Sequence, residues 1–307
     1  MNNLAPIVLI VYNRPEHTRK TVEALQKNAL AKDSELFVFS DAPKNEMTAE
    51  SVRQVREYIH KISGFKNVHI VEREKNLGVD PSILDAVNTM FEKYDKIIRV
   101  EDDIVTVPNF LQFMNKALDV FENDDRIWGI SGFTPLIKIP QNYDKEILLM
   151  PRDSSWGDGT WKNRWNAVDF NIKIDYETVV GNPQIKKIIG GAGEDILGTI
   201  HKYPNTYDIP IHYYMRMNNK YTVCPTYSLV KNIGTDGTGE HFTIKQKRYD
   251  IILQNNITPI KINADIEPDE YILKQLRKYF TKPLWRKILI FLAQKTGVYN
   301  FLLKKLG

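Results

Sequence analysis

The 307-residue chain has one cysteine, Cys224, and no Cys/His spacing of the kind that holds zinc. A single thiol makes no internal disulfide, so a reducing compartment and a cytoplasmic location are expected. No apolar run approaches the roughly 18 residues a membrane span needs. Residues 1–6 lack a basic segment leading into an apolar one, so no signal peptide is expected. No G-x-G-x-x-G follows the first apolar run, which argues against a dinucleotide-dependent dehydrogenase. Acidic residues are missing after Glu270, where nine Lys and Arg residues stand; the net charge of +4 therefore belongs to that segment. Positive charge confined to one apolar-rich tail does not make a nucleic-acid groove.

What is present describes a folded chain. Hydrophobic residues make up 42% and charged residues 26%, enough for one large α/β domain with a smaller appendage. Short apolar runs at 7–11, 36–40, 68–72, 96–100 and 127–131 read as buried parallel strands. Between them lie helical patterns: Pro15 to about Asn28, Thr48 to Ile62, a segment after Asp80-Pro81, and 108–121. This alternation predicts a doubly wound, mostly parallel sheet with helices on both faces. After Phe133 the pattern turns irregular, and the Trp/Gly/Asp-rich stretch 154–165 and the glycines at 190–193 and 234–239 read as loops over a site.

Ligands of such sheets sit beyond the carboxyl ends of the strands. Asn13-Arg14, Asp41 and Glu101-Asp102-Asp103 all follow strands there, so they are expected to converge on one crevice. Three successive carboxylates repel one another unless a cation or donors compensate, and hard oxygen ligands favour Mg²⁺ or Mn²⁺. A solvated turn or a cap for the helix after Pro108 is the structural alternative. For Asp41 the alternative to ligand binding is a turn cap ahead of Pro43. Arg14 at a helix start opposes the helix dipole, which favours an anionic partner; Arg73 is a second candidate of that type.

The segments IVLIVYNR (7–14), FSD (39–41), NLG (76–78), RVEDD (99–103), GED (193–195) and NIGTDGTGEH (232–241) carry a resemblance. In order and spacing the chain resembles a GT-A fold glycosyltransferase, similar to the family 2 enzymes and the N-acetylglucosaminyltransferase I group. The resemblance implies a metal-dependent, inverting hexosyl- or N-acetylhexosaminyltransferase, with Mn²⁺ or Mg²⁺ as cofactor, a nucleotide-sugar donor and a glycan or lipid-linked acceptor. It implies Asp103 as metal ligand, with His241 as a further one. Glu101 and Asp102 would stand near the ribose or a ligated water, and Asp41 at the N3–H of a uracil. Asp195, with Glu194 beside it, matches the acid pair that supplies the general base; Asp158 is the rival base, and Asp195 as a helix cap is the structural alternative. Trp156 and Trp161 could stack on a sugar or belong to the core.

By the same resemblance residues 1–132 form the nucleotide-sugar-binding half and 133–258 the acceptor-binding and catalytic half. Residues 259–307 are a basic amphipathic extension, whose segment 281–306 has the composition of an interfacial helix on anionic lipid; packing on the domain is its alternative. A nucleotidyltransferase would carry a glycine-rich basic loop where Tyr12-Asn13-Arg14-Pro15 stands. A non-catalytic glycan-binding protein is the remaining alternative.

Overall fold

The computed structural model describes residues 4–236, 251–254 and 258–281. His241 lies outside these residues, as does all of the expected interfacial segment except Thr281. No helix among the described residues is long and apolar enough to cross a membrane.

The first hundred residues alternate as read from the sequence: β1 (Ile7–Val11), α1 (Pro15–Gln26), β2 (Glu35–Ser40), α2 (Glu46–Ile59), β3 (Asn67–Glu72), α3 (Val79–Phe91) and β4 (Lys96–Glu101). β1 pairs in parallel with β2 and β4, and β2 with β3. Two-sided burial explains why β1 has no polar residue. Ile7, Leu9 and Val11 pack against Val22 and Leu25 of α1 and Val55 and Ile59 of α2, whereas Val8 packs against Ile83, Val87 and Met90 of α3. Two helix starts differ from expectation. α2 opens two residues ahead of Thr48, which serves as the third helical residue of a capping box with Asn45. Gly78, not Asp80, precedes α3, and Asp80 instead accepts a hydrogen bond from the Tyr207 N–H at 3.1 Å.

The second half is more ordered than its composition suggests. β5 (Ile104–Thr106), α4 (Phe110–Val120), β6 (Ile127–Ser131), β7 (Ile147–Met150) and β8 (Asp158–Trp161) are followed by α5 (Lys162–Trp165), α6 (Tyr176–Gly181), α7 (Pro183–Gly190), α8 (Asp195–Lys202) and α9 (Asp208–Met217). β9 (Tyr221–Pro225), β10 (Val230–Asn232) and α10 (Glu270–Tyr279) complete the described chain. The main sheet has eight strands in the order β3-β2-β1-β4-β8-β6-β9-β7, and β10 pairs with β5 in a separate ribbon. β8 runs antiparallel to both β4 and β6, so β6 is parallel to β4; β7 is the other antiparallel strand of the main sheet. The stretch read as a loop at 154–165 therefore contains a central, buried strand. Glycine permits it: a Cβ at Gly159 would lie 2.8 Å from the Ile97 carbonyl oxygen. α10 lays Ile272 and Leu276 on Leu148, Met150 and Cys224. Burial pushes the Cys224 thiol up, so it is a packed apolar group and not a nucleophile.

Candidate active site

The carboxyl ends of β1, β2 and β4 open into a cleft of about 360 Å³. Asn13, Arg14, Asp41, Glu101 and Asp102 all line it, together with Tyr12 and Lys44. The convergence follows from the parallel register of β1 with its two neighbours, which brings every strand end to one edge.

Arg14 is the keystone of the acidic cluster. Its guanidinium donates to Asp102 and lies 2.9 Å from Asp103 Oδ2. Burial opposes its charge, but Asp102 and Asp103 outweigh burial and raise its pKa. Asp102 is held further by its own carbonyl, which accepts from the Thr21 hydroxyl at 2.9 Å. Burial lifts Glu101 to about 8, with the Asp103 charge adding to it, and lifts Asp102 to about 6 against the pull of Arg14. The Asp103 Oδ1 atom is buried with no hydrogen-bond partner among the described residues. Arg14, expected as a partner for an anion, is clamped between two carboxylates of the chain itself.

Asp41 and Arg73 are also occupied locally. The Asp41 carboxylate accepts from the N–H groups of Ala42, Leu77 and Gly78 and from Asn76 Nδ2, at 2.9–3.1 Å. It fastens the NLG turn to the end of β2 while also lining the cleft. Arg73 bends onto α3, with Nη2 at 2.7 Å from Asp85 Oδ2 and 2.9 Å from the Ser82 carbonyl oxygen. It ties the end of β3 to α3.

A second, smaller pocket of about 140 Å³ is lined by Phe133, Arg152, Asp153, Trp156, His212 and Phe280, among others. Phe133 follows the carboxyl end of β6, which is parallel to β4, so this pocket opens on the same edge of the sheet as the cleft. Asp195, the first residue of α8, stands beside it: Arg152 Nη1 donates to its two oxygens at 2.9 and 3.1 Å. Glu194 precedes the helix without capping it through its side chain. Trp156 packs edge-on to Phe133 at 4.6 Å between ring centroids. Trp161 does not reach either opening; it is 2% exposed at the far end of β8, opposite Lys96. A sugar face cannot reach it.

Asp158 is likewise buried, in a two-point pair with Arg99: Nε to Oδ1 and Nη2 to Oδ2 are both 3.0 Å. It neutralises Arg99 inside the sheet and does not face an opening, which removes the rival base. Asp158→Ala is expected to destabilise the chain by about 3–5 kcal/mol, because Arg99 is left charged and buried. A lower urea midpoint checks this, and Asp158→Leu combined with Arg99→Met should recover most of the loss.

Arg152, Asp153, His212 and Phe280 escaped the sequence reading. Arg152-Asp153 is a common dipeptide, and His212 is a lone histidine inside a helix, so neither carries a pattern. His212 is lowered by burial and then by the Arg152 charge, which keeps its imidazole neutral; its Nδ1 lacks a partner among the described residues. Burial, then Asp158, lifts Asp153 from 3.8 to about 6. An acid raised in the folded state stabilises below its unfolded pKa, and that stability is lost as pH rises through the folded value. Wild type is therefore expected to lose more stability than Asp153→Asn between about pH 4 and pH 7, compared as urea midpoints at the two ends.

No protein-family model matches the chain, and no curated protein matches it. Among solved structures it is similar to residues 1–349 of TarS from S. aureus, at 11% identity and a TM-score of 0.42, over 76% of this chain and 62% of that one. The mannosyltransferase PcManGT from Pyrobaculum calidifontis, solved with GDP-Man and Mn²⁺, is similar at 15% identity and a TM-score of 0.36, over 54% of this chain and 48% of that one. A protein from Desulfovibrio desulfuricans described as a nucleotide-diphospho-sugar transferase is similar at 11% and 0.38, over 80% and 93%. The chain thus spans less than two thirds of the TarS fragment and about half of PcManGT. The described residues form a mixed α/β fold around a mostly parallel eight-stranded sheet, the architecture expected from the sequence.

Proposed function

We propose that the chain is a glycosyltransferase. It takes a sugar from a nucleoside diphosphate donor in the larger cleft and passes it to a glycan or lipid-linked acceptor at the smaller pocket. The observation that carries this reading is the Arg14-bridged acidic turn at the edge of the cleft, whose Asp103 keeps one buried oxygen unpartnered. Among the described residues no three His, Cys, Asp or Glu side chains form a complete metal cage. Mg²⁺ and Mn²⁺ do not need one, since such ions take one or two carboxylates and complete their shell with water and phosphate. Asp103, with Asp102 beside it, fits that demand, and repulsion among the three carboxylates favours a cation there. The ion would supply charge neutralisation for the departing diphosphate.

Protein groups do the rest. Arg14 holds both carboxylates in one orientation. Asp195 accepts the proton of the acceptor hydroxyl as that oxygen bonds to the anomeric carbon and the bond from that carbon to the diphosphate breaks. A single displacement of this kind inverts the anomeric configuration. Uracil was named only through Asp41, whose oxygens are engaged, so the donor is proposed as a nucleotide sugar without a stated base. Cytoplasmic placement at a lipid surface remains part of the proposal, from composition alone.

A thermal-melt panel of UDP, GDP, ADP and CDP, each with and without Mn²⁺, tests the reading. One nucleotide should raise the melting temperature by several degrees only when Mn²⁺ is present. No shift with any of the four, or a shift indifferent to the metal, overturns it.

A further inference from the structure

The C-terminal helix reads from sequence as an appendage, yet its end is a wall of the smaller pocket. Ile272 and Leu276 fix the course of α10 over β7 and β9, and the chain then places Phe280, 5% exposed, against the pocket. Three contacts join this end to the acidic turn at the start of α8. The Phe280 carbonyl accepts from the Asp195 N–H at 3.2 Å. The Thr281 hydroxyl oxygen accepts from the Glu194 N–H at 3.3 Å. The Phe280 ring lies under the Arg152 guanidinium, 3.7 Å from ring centroid to Cζ, and that same guanidinium grips both oxygens of Asp195. Gly193 makes the fit possible. Its φ is +136°, and a Cβ there would fall 2.4 Å from Phe280 Cβ and 2.8 Å from Asp195 Oδ1.

A carboxylate at a helix start beside glycine turns has many orientations open to it. Here the main chain of residues 194 and 195 is tied to α10, and the side chain of Asp195 is tied to a guanidinium that an aromatic ring holds flat. We propose that Phe280 and Thr281 are positioning residues for sugar transfer: the end of α10 holds Asp195 in the orientation that receives the acceptor proton. The proposal rests on the reading of Asp195 as the base. Phe280 touches no reacting atom; its effect passes through Arg152 and the backbone. Misplacing a reacting group lowers turnover with little change in binding at a distant subsite.

The test uses the full chain with Mn²⁺, UDP-, GDP-, ADP- and CDP-sugars as donors and octyl glycosides as acceptors, reading released nucleoside diphosphate. Phe280→Leu keeps apolar volume but removes the flat ring, and Thr281→Val removes one acceptor at a less buried site. Both should lower kcat roughly tenfold, with donor KM within about twofold of wild type. Phe280→Tyr, which keeps the ring, should retain the wild-type rate. Hydrogen exchange at the Glu194 amide should speed up in Thr281→Val. Wild-type kcat in both altered chains alongside an inactive Asp195→Asn overturns the positioning role alone. A drop in kcat matched by a rise in donor KM also overturns it, because the damage would then be general. An active Asp195→Asn, or a wild-type chain with no turnover on any pair, overturns the underlying reading and this proposal with it.

Discussion

Replacing Asp195 by Asn is expected to slow sugar transfer by about 10²–10⁴-fold, the usual contribution of a general base. The amide oxygen can still accept from Arg152, which now makes two contacts at 2.9 and 3.1 Å, so the turn at the start of α8 keeps its shape. What the amide cannot do is take up a proton. Nucleotide binding in the other opening should be untouched, so the melt with nucleotide and Mn²⁺ should match wild type while kcat collapses. A variant that transfers at the wild-type rate removes Asp195 from the chemistry. A variant that loses both rate and nucleotide binding implicates Asp195 in the fold.

Asp103→Asn should produce the other large effect, a fall in rate on the order of 10²–10³, the scale seen when one group that stabilises developing charge is lost. The amide oxygen can face Arg14 in place of Oδ2, leaving the amide NH₂ where the unpartnered Oδ1 now sits. An NH₂ does not ligate a hard cation. The melting shift that requires Mn²⁺ should therefore vanish, and the residual rate should no longer respond to EDTA. If EDTA still lowers that residual rate, the ion is held elsewhere.

Much of the first half was legible because parallel strands buried on both faces read as unbroken apolar runs, and β1 is one. The polar residues that follow such runs must lie at one edge, so the meeting of Asn13, Arg14, Asp41 and Glu101 to Asp103 followed from order alone. The second half hid its strands. β8 is DGTW, short and poor in apolar residues, and it fits because glycines at 129 and 159 admit backbone at van der Waals distance. Arg99 sits in the run KIIRVE with its partner Asp158 59 residues away, and nothing in either segment announces the pair. Trp161, offered as a sugar platform, is a core residue because β8 lies between β4 and β6 and is buried along its whole length, a placement that chain order did not reveal.

The sequence by itself determined the layered α/β plan, the sheet edge where the cleft opens and the acidic turn on it, since these depend on local hydrophobic periodicity and chain order. Tertiary structure alone decided what each polar group faces. Arg14 turned to Asp102 and Asp103, Asp41 to the NLG turn, Arg73 to α3, and Arg152 was set between Asp195 and Phe280. The reason is that a buried charge or carboxylate must find partners wherever the fold supplies them, and those partners lie tens of residues away along the chain.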